Sequence, residues 1–250
     1  MYKEMTADTI QEVLQVDNDY TVDTLITYGG HPKQSTEKIL EYEVQILYPD
    51  AILEDAFLGF FQDVKSYKIG PKRVWFCVTY GGAITSEIVH IACLLGANTI
   101  LHGGSCGALH KSLSIGDIFL PISSDADESC TRMYVRDGAS IHNSDPDLRK
   151  TLANNINLNT AEGKMISIQA MLAETREDVD LWSESGYFCV DLEVATVFAV
   201  AKHFDVSSAA ILYISDNLVT KDLVHTLTEE QRALRKKSKH SVIRTLLQTA

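Results

Sequence analysis

The sequence predicts a single α/β domain of parallel strands covered by helices. Two observations carry that expectation. Apolar runs of strand length alternate with segments of helical period through most of the chain. No internal repeat, low-complexity tract or linker-like stretch invites a cut anywhere between residues 1 and 250. With 45% hydrophobic residues the chain has ample material for a full core.

The elements follow in order. Thr24–Tyr28 reads as a short strand closed by Gly29-Gly30. Val74–Tyr80 is a continuous apolar run, as expected of a strand buried on both faces, and Gly81-Gly82 ends it. Ile84, Ile88, Ile91 and Leu95 then recur at helical spacing, with Gly96 placed as a C-terminal cap. Thr99–His102 completes a strand-helix-strand unit and closes on Gly103-Gly104-Ser105-Cys106-Gly107-Ala108. Ile118–Leu120 reads as a further strand, and the polar, acidic stretch Ser123–Ser129 as a loop able to cover a site. Asp145-Pro146 is an N-cap and first-turn pair for a helix carrying Leu148, Leu152 and Ile156. Met165–Met171 reads as a strand. A helix beginning near Asp191 puts Val194, Val197, Phe198 and Ala201 on one face, and Ser207–Ile214 returns as a strand that ends at Ser215-Asp216-Asn217. Thr228-Glu229-Glu230-Gln231 has the capping-box pattern and opens a last helix with Leu234, Val242 and Leu246 as its packing stripe.

Charge and cysteine usage exclude several functions. The chain has 34 acidic against 22 basic residues, a net charge of -12, and so no general field for a polyanion; no nucleic-acid partner is expected. Arg232, Arg235, Lys236, Lys237, Lys239 and Arg244 concentrate on the last helix, where cations suit a helix C-terminus and no aromatic residues interleave them. Five cysteines without a C-x-x-C pair argue against a disulfide framework or structural zinc and for a reducing cytoplasm. No compact histidine spacing calls for a metal. Met1 leads into Lys3, Glu4 and Asp8, and no window approaches the ~18 apolar residues of a spanning helix, so an unexported cytoplasmic protein without a membrane partner is expected.

A hydroxyl among glycines at the end of a buried strand suits the binding of an anion or oxyanion. Gly103-x-Ser105-x-Gly107 also fits a serine-hydrolase elbow, and Asp216 and His225 stand in the chain order such hydrolases use. That elbow needs a substantial helix after Ser105, whereas only Ala108–Ser114 separates Gly107 from Ile115-Gly116-Asp117, short of a mean helix of ~11 residues. A dinucleotide turn would need glycine where His102 stands.

Distant motifs then join. Gly30-His31-Pro32, Tyr80-Gly81-Gly82, Gly104-Ser105-Cys106-Gly107-Ala108 with Gly116-Asp117, Asp191-Leu192-Glu193 and Ser215-Asp216 occur in one order from about residue 24 to 217. In that order and spacing the chain resembles the nucleoside phosphorylase superfamily, which includes purine nucleoside phosphorylases, uridine phosphorylases and nucleosidases. The resemblance implies a central mixed β-sheet flanked by helices, no cofactor, a nucleoside substrate and a homo-oligomer, dimer or hexamer. It implies that Gly30 and Ser105 hold phosphate or water, Glu193 with Leu192 binds ribose, and Asp216 with Ser215, Met171 and Cys106 meets the base. Asp216 is the candidate catalytic acid, since an aspartic acid of raised pKa can protonate purine N7 as the glycosidic bond breaks.

The chain departs from the family at the nucleophile. Gln34, beside Lys33, and His102 stand where its phosphorylases usually carry arginines. Between Tyr48 and Lys72 no counterpart is evident of the arginine a neighbouring subunit donates. Each arginine grips phosphate through charge-assisted bonds worth roughly 1.5 to 3 kcal/mol apiece. Phosphorolysis, with phosphate as co-substrate, and hydrolysis therefore both stay open, beside a non-catalytic nucleoside-binding protein and a serine hydrolase using Ser105.

Overall fold

The computed structural model describes residues 4–30, 32–54, 64–127 and 130–250. In chain order its elements are α1 (Ala7–Leu14), β1 (Thr24–Gly29), α2 (Lys33–Leu47), β2 (Ile52–Glu54), β3 (Val64–Ile69), β4 (Lys72–Thr79), α3 (Gly82–Leu94), β5 (Thr99–Ala108), β6 (Ile118–Ala126), β7 (Ile141–Asn143), α4 (Pro146–Asn155), β8 (Thr160–Ser167), α5 (Arg176–Glu184), β9 (Cys189–Asp191), α6 (Val194–His203), β10 (Ser207–Asn217) and α7 (Glu229–Thr249).

All ten strands join one mixed sheet in the order β10-β6-β8-β9-β5-β1-β4-β3-β2, with β7 on β6. Because β10 also pairs with β5, strands β5, β10, β6, β8 and β9 close on themselves. The parallel centre is β4-β1-β5-β10, where every residue of β1 is buried. Two-sided burial explains why these strands read as apolar runs rather than alternating ones. On one face α3 and α6 pack Ile88, Val89, Val194 and Phe198 with Trp75, Ile100 and Leu212. On the other, α2 and α7 pack Leu40, Val44, Val242 and Leu246 with Ile26, Phe76, Leu101 and Ile211. Each such fully buried side chain contributes roughly 1.5–3 kcal/mol by leaving water.

The caps are as expected: Asp145 accepts the N–H groups of Asp147 and Leu148, and Thr228 and Gln231 form a reciprocal capping box. Several boundaries differ. The strand expected to end at His102 runs on to Ala108, so the glycine-serine segment is strand rather than loop. Its glycines permit this: a Cβ on Gly103 would run into Leu246, and one on Gly104 would stand 2.8 Å from the carbonyl oxygen of Gly29. Ser105 pairs with Tyr213 in mid-ladder and no helix follows it, which removes the elbow a serine hydrolase requires. Ser123–Ala126, expected as a loop, belongs to β6, held by β8 and β7; Glu128 and Ser129 lie outside the described residues. Met171 stands in a 3-10 turn beyond β8, and Ser215–Asn217 continue β10. Ile84 and Leu234, expected in packing stripes, are exposed, because each helix buries only the side that meets the sheet.

Candidate active site

Ligands in parallel α/β sheets bind beyond the carboxyl ends of the strands. Here the ends of β1, β5 and β10 meet the β9–α6 junction around a cavity of about 250 Å³. Gly29, Gly30 and Ser105 line one side, Leu192 and Glu193 another, and Met171, Glu174, Ser215 and Asp216 the rest, with Tyr80 and Cys106 also exposed to it.

Glu193 is held by local backbone chemistry. Asp191 Oδ2 accepts the N–H groups of Glu193 and Val194 at 3.1 and 2.9 Å, capping the start of α6, while its other oxygen accepts the Ser167 hydroxyl. The backbone N–H of Gly81 donates to Glu193 Oε1 at 2.7 Å, so the turn after β4 clamps one carboxylate oxygen. Oε2 lies over Gly29, where any Cβ would approach it to 2.6 Å. Glycine at residue 29 is thus a close-approach requirement of the site. Burial, and then the neighbouring Asp191, raises the affinity of Glu193 for a proton.

Asp216 owes its aim to an irregularity in β10. The register with β5 shifts between Ile214 and Asp216, and such a bulge redirects side chains. Ser215 Oγ stands 2.6 Å from Asp216 Oδ1 and 3.1 Å from the carbonyl oxygen of Cys106. Burial lifts the Asp216 pKa above the ordinary carboxylate range, opposed by the Ser215 hydrogen bond and by Arg235. Glu174, which no sequence motif singled out, follows the Met171 turn into the same cavity. Burial, Asp216 and Asp178 push its pKa up to about 7. Only the fold brings this second carboxyl to Asp216. Cys106 is buried and its thiol pKa is pushed well up, which keeps it neutral.

The expected nucleophile residues divide. Gly30 and Ser105 line the cavity; His102 and Gln34 do not. Gln34 is exposed on the first turn of α2, and His31 lies outside the described residues. His102 is fully buried, its Nδ1 2.8 Å from Thr27 Oγ1, and burial lowers its pKa to about 3, so the imidazole is neutral at any working pH. Its Nε2 has no hydrogen-bond partner, and one of its ring nitrogens lies with an Asp191 and a Glu193 oxygen within 4.8 Å of one another. This trio is the one cluster of metal-ligand type found among the described residues. It fits a cation poorly, since both Asp191 oxygens and one of Glu193 already accept hydrogen bonds.

Comparison with known proteins bears on the fold and the family. The Geobacillus sp. (strain WCH70) protein "Purine nucleoside phosphorylase DeoD-type" is 23% identical over 166 residues, 65% of this chain and 69% of that one. That protein, the Xenorhabdus nematophila "Purine nucleoside phosphorylase DeoD-type" and the Halorubrum lacusprofundi "Guanosine phosphorylase" are matched over 69%, 58% and 53% of their own length. Uridine phosphorylase from Vibrio fischeri ES114 superposes with a TM-score of 0.76 at 18% identity, covering 96% of both chains. Helicobacter pylori MTAN does so with a TM-score of 0.70 at 18% identity, covering 91% of this chain and 98% of that one. These structures share the fold. The family model described as "Phosphorylase superfamily" matches residues 68–248, a span that takes in the glycine-serine strand, Glu193 and Asp216, and by that match the chain belongs to the phosphorylase superfamily.

Proposed function

We propose that this protein cleaves the N-glycosidic bond of a purine nucleoside or close analogue, transferring the pentosyl group to phosphate or to water. The observation that carries the reading is one small cavity with Glu193, one oxygen clamped by the Gly81 N–H, on one wall and two carboxyl groups whose proton affinity burial raises, Asp216 and Glu174, on another. Breaking a C1′–N9 bond builds positive charge on the sugar and negative charge on the base, so the two ends of the substrate need opposite treatment.

Glu193 Oε2, the oxygen left free by Gly81, accepts the ribose hydroxyls and places C1′ over the Gly30–Ser105 side. Asp216 donates its proton to N7 of the leaving purine, and Ser215 Oγ orients it. Leu192 and Met171 supply the apolar walls of the slot, and the neutral Cys106 thiol adds no charge to it. Nothing in this scheme calls for a cofactor or a metal. A homo-oligomer, dimer or hexamer, is part of the proposal and is read out by sedimentation velocity. So is a cytoplasmic location, in keeping with the absence, among the described residues, of any helix long and apolar enough to cross a membrane.

The test follows free base released from inosine, adenosine and methylthioadenosine, with and without phosphate. Release from at least one is expected, lowered at least about a hundredfold in kcat by Asp216→Asn, the usual scale of a lost general acid. Tight nucleoside binding without release would favour a non-catalytic binder, and unchanged release in Asp216→Asn would refute the acid assignment.

A further inference from the structure

Among the described residues, the lining of the cavity holds four acidic side chains, Glu174, Asp191, Glu193 and Asp216, and no lysine, arginine or histidine. Three of the four are already engaged. Asp191 accepts the Ser167 hydroxyl and the N–H groups of Glu193 and Val194, Glu193 accepts the N–H of Gly81, and Asp216 accepts the Ser215 hydroxyl. Glu174 differs: burial and the charges of Asp216 and Asp178 act on it, and among the described residues no hydrogen bond or cation offsets them. Arg235 of α7 acts on Asp216 and not on Glu174. A carboxyl kept beside another with no partner of its own is a cost to the fold, and that cost points to a ligand.

The backbone at Glu174 is fixed on both sides, as a residue that reads a ligand requires. Its N–H donates to the carbonyl oxygen of Met171 at 3.3 Å, in the turn that follows β8. The next residue, Thr175, caps α5 reciprocally with Asp178 through bonds of 2.9 and 3.2 Å. Arg176 is committed to Asp180 at 2.7 Å and to the carbonyl oxygen of Leu218 at 2.8 Å. The second of these bonds ties the start of α5 to the segment after β10, where Leu218 lines the cavity and donates its N–H to Ala108 at the end of β5. The element that carries Asp216 and the turn that carries Glu174 are thus held to the same space.

Two neighbouring carboxyls in a cavity without cations hold one proton between them more readily than two or none. One acid and one carboxylate match a base edge with one acceptor and one donor. The edge of adenine at N7 and C6 is of that kind, since N7 accepts and the 6-amino group donates, whereas a 6-oxopurine presents two acceptors there. We infer that Glu174 determines which base the cavity takes: its carboxylate accepts an N–H of the 6-amino group while Asp216 donates to the adjoining N7, so that 6-aminopurine nucleosides are favoured over 6-oxopurine ones. This rests on the reading of the cavity as a base and ribose site given above. The groups around the pair are Asp178 of α5, Glu193 at the start of α6, the neutral Cys106 thiol of β5 and, acting on Asp216, Arg235 of α7. When the amino base docks, the proton that the pair retains stands on Asp216. A second proton, taken up in acid, makes Glu174 a donor and admits O6 in place of the amino group.

Calorimetric titration of the full chain with adenine and with hypoxanthine tests the discrimination without cleavage, and kcat/KM for adenosine and for inosine tests it with cleavage. At pH 7 the wild type is expected to favour the amino base about tenfold or more, the scale of one hydrogen bond to a charged group. Glu174→Gln, whose amide can turn either its oxygen or its NH2 to the base, should bring that ratio within about threefold, and Glu174→Ala, which offers neither, should do the same. Glu177→Gln, exposed on the first turn of α5, is the control for general electrostatics and should leave the ratio within about twofold of wild type. As pH falls from 7 to 5 the wild-type preference should shrink while both Glu174 variants keep a flat ratio, a response that a merely structural role would not give. Melting temperatures confirm that the variants fold. Failure of the wild type to prefer the amino base at pH 7, or an equal preference in both Glu174 variants, would overturn the assignment, and base release from either nucleoside in that event would leave the glycosidic reading standing. Adenine binding that depends on Glu174, without release from either nucleoside, would support the assignment and overturn the glycosidic reading.

Discussion

Replacing Glu193 by glutamine should stabilise the free protein and disable it, and the size of the first effect can be worked from the site. Glu193 is 4% exposed, beside Asp191, and its proton affinity rises from an ordinary 4.5 to about 8. Each pKa unit is worth about 1.4 kcal/mol, so holding this carboxylate ionised costs up to about 5 kcal/mol, and water entering the cavity brings that nearer 2 kcal/mol. The folded pKa lies above the unfolded one. The associated stability is therefore complete below about pH 4.5 and lost progressively as pH rises towards about 8. Glutamine is never ionised, and its Oε1 can keep the Gly81 N–H. Thermal unfolding across the pH range should show the two proteins nearly equal at the acid end. Glu193→Gln should gain about 4–8 °C near pH 8, on the scale of 2–4 °C per kcal/mol for a chain of this size. Base release by the same variant should fall at least about a hundredfold, since the ribose clamp is lost. A melting difference that is absent, or constant with pH, would refute the assignment of a buried, proton-hungry carboxylate.

Gly104→Ala drives a Cβ to 2.8 Å from a backbone oxygen that cannot step aside. A loss of about 1–3 kcal/mol in urea unfolding is expected, and full stability would mean that β1 and β5 separate more easily than their ladder suggests. Glu174, whose pKa burial and Asp216 push up to about 7, loses its proton, and with it any hydrogen bond it donates in the proposed base site, as pH rises through that value. KM for the nucleoside should rise as pH passes from about 6 to 8 and lose that rise in Glu174→Gln; persistence of the rise would assign it to another group.

The α/β class, the succession of the central strands along the chain and the caps at Asp145 and Thr228 were legible because they depend on local patterns, namely apolar run length, helical period and capping side chains. Ser105, Glu193 and Asp216 were also legible, as each stands in a short motif at the end of a strand. The reach of β5 was not. Glycines and a serine signal a turn by composition, yet Gly103 and Gly104 are strand residues because α7 and β1 pack too closely to leave room for a side chain. Once β5 is known to continue, the alternation of its side chains puts His102 and Ser105 on opposite faces, and the substitute for a family arginine turns out to be a neutral imidazole bonded to Thr27.

Glu174 carried no sequence signal of function, since it follows a short turn outside every motif. By itself the sequence determined the kind of fold and the groups that could meet ribose and base, because those are written in contiguous stretches. Tertiary structure alone decided which carboxyls share a cavity and which histidine is neutral. Proton affinity and charge depend on burial and on neighbours distant in the chain, and Glu174 and Asp216 become neighbours only where the turn after β8 and the end of β10 line one cavity.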